Sequence, residues 1–144
     1  MPEISRRISS WFTSWVFILF ILTVIFKNRV NVYTKKMIIC MTLSCAILGF
    51  FIIRKYYDNV PSKDKWIINI GDVFCHILPA IYIIFLMKKK NVKNNLDMFI
   101  LPILFGLIYL YFYKPSKVYW ITGWTDQQLI ISLYLVYVTV LMLY

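Results

Sequence analysis

Apolar positions in this chain come in five blocks, and the charged residues stand between them. The blocks run from about Trp11 to Phe26 (a start one turn earlier, at Ile8, fits as well), about Met37 to Ile53, Trp66 to Met87, about Met98 to Tyr113, and about Leu129 to Tyr144. No alternation of polar and apolar residues marks a barrel strand. Lipid offers no partner to unpaired backbone groups, so such blocks predict helices. Most blocks hold 16 or 17 residues, short beside the ~20 that cross a 30 Å hydrocarbon core. Aromatic residues at their ends, Trp11, Trp15, Trp66, Tyr113, Trp120 and Trp124, extend them through the interface. The expected fold is an all-α, multi-pass transmembrane bundle of about five helices, a single integral membrane domain over residues 1–144.

Composition narrows the class further. Of 144 residues, 61% are hydrophobic and 15% charged, and the mean hydropathy is +0.72; soluble domains carry about 25% charged residues. That excludes a disordered chain, a disulfide-stapled secreted domain and a nucleic-acid-binding module. The net charge of +10 would suggest nucleic acid in a soluble protein. Here Lys35-Lys36, Arg54-Lys55 and Lys88-Lys89-Lys90 flank apolar blocks, where they set topology and touch phospholipid headgroups. Membrane lipids are the expected partners, and no nucleic acid. Cys40, Cys45 and Cys75 all lie in apolar blocks and are odd in number, so no disulfide framework is implied. No CxxC or HxxxH spacing occurs, so neither a metal site nor a cofactor is expected. Arg6-Arg7 before the first block imitate a signal peptide, but Lys27-Asn28-Arg29 follows it in place of a small-residue cleavage site, which predicts a retained helix. Short spans suit a thin, endoplasmic-reticulum-like membrane, with the plasma membrane the other option.

Counting Lys and Arg ties the two sides at eight each. The short, acid-free runs Lys27–Lys36 and Lys88–Lys93 break the tie, placing those loops and the C-terminus in the cytoplasm and the N-terminus outside.

Two ionisable residues lie inside the third block. Asp72 and His76 are four apart, one above the other on a helix face. Charged groups at that depth cost at least ~2.5 kcal/mol and face a partner or a cavity. His76 lies ten residues past Trp66, roughly 15 Å along a helix and so near mid-bilayer. A carboxylate beside an imidazole fixes its tautomer and raises its basicity, an arrangement suited to a general base and equally to a pair that ties helices together. Pro79 has no N–H for the Cys75 carbonyl, so a bend beside His76 is expected. Hydroxyl or thiol partners for the imidazole are Thr13, Ser14, Thr23, Thr42, Ser44 and Cys75. Taken singly, each hydroxyl reads first as an interhelical hydrogen bond. Cys75 points about 100° away from His76 on a regular helix. Cys45, Gly49 and Gly106 permit close helix contact. The aromatic stretch Tyr109–Trp124 reads as an interfacial belt, or as a partly inserted cap over a lipid-accessible pocket.

Three segments in order, FFIIRKYYDN (Phe50–Asn59), GDVFCHILPAIYIIFLM (Gly71–Met87) and FGLIYLYFYKPSKVYW (Phe105–Trp120), resemble the androgen-induced protein and androgen-dependent TFPI-regulating protein family. Those are multi-pass membrane hydrolases of fatty acid esters of hydroxy fatty acids. The resemblance implies His76 as the catalytic histidine, with Asp72 at the family's polar position and Leu78-Pro79 matching its Leu-Pro. It also implies a threonine nucleophile just after a Trp near the start of an earlier helix, for which Thr13 in WFTSW is the nearest match and Thr23 the fallback. Family members have six helices with both ends cytoplasmic; dropping the first gives five with the N-terminus outside. The family's His-rich stretch after the fourth segment is replaced here by Tyr113-Lys114-Pro115. By position in their blocks, Thr13 and His76 should differ in depth by roughly 12 Å.

These readings lead to a membrane-embedded hydrolase of lipid esters, with Thr13 attacking an acyl carbonyl, His76 taking its proton and Asp72 orienting His76. Two alternatives stand beside it: a non-enzymatic membrane scaffold, and a proton or ion pathway lined by Asp72 and His76.

Overall fold

The computed structural model describes residues 11–87 and 91–144, the side chains of residues 52 and 53 aside. Arg6, Arg7, Ile8 and Lys88–Lys90 lie outside the described residues. In chain order the helices are α1 (Phe12–Ile25), α2 (Val32–Lys55), α3 (Lys65–Asp72), α4 (Leu78–Leu86), α5 (Asp97–Phe112), α6 (Pro115–Val118) and α7 (Asp126–Leu143). A π-helical turn, Val73–Ile77, joins α3 to α4 without a break. The fold is all-α, with no strand among the described residues. Three helical stretches are long and apolar enough to cross a membrane: Val32–Phe51, Ser62–Leu86 and Asp126–Leu143. α1 and α5, at 14 and 16 residues, span only about 21 and 24 Å.

α2 and α7 begin earlier than the apolar blocks because their first turns are polar and capped. Asn31 Oδ1 accepts the Tyr33 N–H at 2.8 Å, so α2 starts at Val32 and not at Met37. Thr125 and Gln128 form a reciprocal capping box, which moves the start of α7 to Asp126. The bend expected at Pro79 takes the form of the π turn, whose closing bond runs from the Leu78 N–H to the Val73 carbonyl. Such wide turns cluster at functional sites, and here the turn leads into the proline that cannot donate.

α2 is the central rod and packs against α1, α7, the π turn, α4 and α5. The main core gathers Phe12, Val16, Cys40, Met41, Cys45, Met98, Tyr109, Tyr137 and Leu141. Edge-on ring contacts seam α1 to α5, with Phe12–Tyr109 centroids 5.0 Å apart and Trp15–Tyr109 5.6 Å. Trp15 thus turns inward onto α5, and Trp11 is buried too, whereas Trp66 and Trp124 are exposed. Outward faces are greasy, with Phe85, Leu86 and Leu143 at 77%, 69% and 78% exposure, a surface suited to lipid rather than water.

Candidate active site

Three segments meet at one end of the bundle: the start of α1, the last third of α2, and the π turn. Asp72 closes α3 and His76 sits in the π turn, so the side chains lie one above the other. His76 Nδ1 is 2.7 Å from Asp72 Oδ1. Arg54 Nη2, from the last turn of α2, donates to Asp72 Oδ2 at 3.2 Å. A carboxylate paired with a guanidinium only accepts, so the ring nitrogen facing it carries the proton. In the neutral imidazole the lone pair is then left on Nε2. His76 Nε2 is buried and has no hydrogen-bond partner, an exception to the general satisfaction of buried polar atoms.

Gly49 makes room for the ring. A Cβ at that position would lie 2.7 Å from His76 Cε1 and 2.9 Å from Nε2. Gly49 is six residues inside the end of α2, so the imidazole lies about 9 Å along the axis from that helix end.

Thr13 reaches the same place. Thr13, Asp72, His76 and Tyr119 line one cavity of about 10 Å³, together with Trp11, Ile68 and Gly71, enough for roughly one water molecule. The expected depth gap closes because the helix starts are not level. Trp11 lies against Gly71, where a Cβ would be 2.3 Å from Trp11 Cζ3, so α1 begins beside the end of α3. Trp11 and the first turns of α3, through Ile67 and Ile68, share one cluster with Val60, Val118, Tyr119 and Trp120. The connection after α5 thus packs as a cap over the starts of α1 and α3.

Within the cap, the Thr13 N–H donates to the Tyr119 hydroxyl at 3.4 Å, and the Thr13 side chain stands beside it too. Burial pushes the Tyr119 phenol up, above its ordinary range, so it keeps its proton at physiological pH and remains a donor. Thr13 and Tyr119 also line an apolar cavity of about 70 Å³ with Cys45, Leu48 and Leu129. That cavity shares Phe12, Cys45, Ile130 and Leu133 with a larger one of about 310 Å³ between α2, α5 and α7.

The other hydroxyls go elsewhere. Thr23, Thr42 and Ser44 donate to the carbonyls of Leu19, Ile38 and Cys40, bonds within their own helices and not the interhelical ones expected. Thr23, the fallback nucleophile, lines a different cavity at the far end of the bundle. Ser14 lies beside Cys75. Three residues of the site were read from sequence in other roles: Arg54 as a headgroup anchor, Gly49 as a helix-contact residue and Tyr119 as part of an aromatic belt or cap. An acid inside a span requires a cation, and the basic end of the preceding helix was the signal for Arg54. Among the described residues no group of three or more His, Cys, Asp or Glu could hold a metal ion. Comparison of the chain with protein-family models, with curated proteins and with solved structures gave no match.

Proposed function

We infer that the protein is a membrane-embedded hydrolase of lipid esters. The observation that carries this reading is the buried, unpartnered His76 Nε2 in the wall of a water-sized cavity that Thr13 also lines. Thr13 Oγ attacks the acyl carbonyl while Nε2 takes its proton, and the alcohol leaves with that proton. Water then attacks the acyl carbon as Nε2 takes its proton, and that proton passes to Thr13 Oγ as the acid leaves. Asp72, braced by Arg54, holds the ring in the tautomer that leaves Nε2 free. The Tyr119 phenol, which lines the same cavity, is positioned to stabilise the oxyanion. The adjoining apolar cavities suit a fatty acyl chain, and the resemblance of Gly71–Met87 to the hydrolase family points the same way.

The Arg54–Asp72–His76 chain supports a second reading, a scaffold in which the triad only fastens α2 to the α3–α4 rod. Turnover separates the two. Purified protein should hydrolyse a fluorogenic long-chain acyl ester, with Thr13→Ala and His76→Ala about 10²-fold slower or worse and Asp72→Asn intermediate. Equal turnover in wild type and variants would remove the hydrolase reading. A pH-dependent proton current in liposomes, lost in Asp72→Asn, would replace it with the pathway.

A further inference from the structure

At the end of the bundle away from His76, α1 finishes, α2 begins, and a cavity of about 200 Å³ opens between them, α4 and the stretch before α5. Its lining joins three lysines, Lys27, Lys35 and Lys36, to apolar residues that include Val24, Ile39 and Met87. Lys36 decides what the cavity is for. Its side chain is buried, at 9% exposure, and Nζ makes one hydrogen bond, to the Val92 carbonyl at 2.9 Å. An ammonium has three protons to give, and a buried charge without a counter-charge is costly. No carboxylate of the described residues pairs with it. Among them this end of the bundle holds five basic side chains, Lys27, Arg29, Lys35, Lys36 and Lys93, against one acid. That acid, Asp97, is exposed and outside the cavity lining. Lys35 and Lys36 also sit near the start of a 24-residue helix with no acid in its first turn, so the helix dipole adds to the positive potential instead of opposing it.

We propose that this cavity binds the phosphate of an anionic phospholipid, with Lys36 as the buried contact and Lys27 and Lys35 as the outer ones. The apolar lining residues receive the start of the acyl region, and a basic pocket between helix ends is a recurrent form of such sites. The proposal is independent of the hydrolase reading, since the two sites occupy opposite ends of the bundle.

The test uses the full chain in phosphatidylcholine nanodiscs, plain or doped with phosphatidic acid, reading Tm and the lipid retained in native mass spectrometry. Wild type should melt higher in the doped discs and retain the anionic lipid. Losing a charge-assisted hydrogen bond should weaken binding about tenfold or more in Lys36→Met, while Lys36→Arg retains it. Should Lys36→Met not fold, the more exposed pair Lys27→Ala/Lys35→Ala must show the same loss. Lys63→Ala/Lys65→Ala at the other end should bind as wild type. An equal response in all variants would overturn the site. A full Tm rise with inorganic phosphate in plain discs would overturn the lipid as its occupant.

Discussion

Gly49→Ala tests the geometry around His76 by adding a single methyl group. The new Cβ would lie 2.7 Å from His76 Cε1, 2.9 Å from Nε2 and 3.2 Å from Nδ1, where ordinary contact begins at 3.4 Å. The ring, or α2, must give by about 0.7 Å, the shortfall at Cε1. The ring is poorly placed to do so: it is buried, held at Nδ1 by Asp72, which Arg54 holds in turn. A retreat of that size would stretch the 2.7 Å bond beyond the usual ~3.2 Å limit. Overpacking costs about 1–3 kcal/mol, and alanine returns about 1 kcal/mol in helix propensity. The net destabilisation should therefore be only about 0–2 kcal/mol, while the imidazole is clearly disturbed. His76 is the single histidine of the chain, so ¹⁵N-histidine labelling gives one pair of ring signals. Wild type should show protonated Nδ1 and bare Nε2; Gly49→Ala should lose that pattern, and ester turnover should fall about 10²-fold, as misplacements near 1 Å do. Gly106→Ala is the control, since its Cβ meets only Ile130, at 3.1 Å. Unchanged ring signals in Gly49→Ala would refute the close approach.

Gly71→Ala should be more harmful to the fold, because its Cβ would fall 2.3 Å from the Trp11 ring; about 1–3 kcal/mol of stability should go, read as a lower Tm together with a fluorescence shift. Arg54→Ala removes one charged hydrogen bond from Asp72, but the Arg54 side chain is 52% exposed and screened, so about 1 kcal/mol is expected; a loss above about 3 kcal/mol would mean that the pair is far drier than its exposure indicates. Tyr137→Phe deletes a buried hydroxyl that donates to the Met98 carbonyl at 2.6 Å and leaves that carbonyl unpaired, which should cost about 1–3 kcal/mol by thermal unfolding without altering the His76 ring signals.

The helical class and the apolar cores of the helices were legible because hydropathy is a local property of the chain. Helix ends were less so, since Asn31 and Thr125 start helices through polar turns that hydropathy passes over. The pairing of Asp72 with His76 followed from spacing alone, and a π turn preserves it almost as well as an α-helix. Thr13 beside His76 was not derivable from position in the blocks. It depends on Trp11 seating on Gly71, a contact between residues far apart in sequence. Arg54 was hidden for a different reason: the same Arg-Lys pair serves equally as a headgroup anchor and as a counter-charge, and only the packing of α2 against the π turn distinguishes the two.

The most direct measurement of the central claim is covalent trapping with a long-chain alkyl fluorophosphonate, followed by peptide mass spectrometry. Attack by an activated hydroxyl expels fluoride and leaves a phosphonyl ester on the oxygen that attacked. A single adduct on Thr13 is predicted, absent in Thr13→Val and about 10²-fold slower to form in His76→Gln. A folded protein that leaves Thr13 unmodified, or that labels equally fast without the His76 imidazole, would contradict the account.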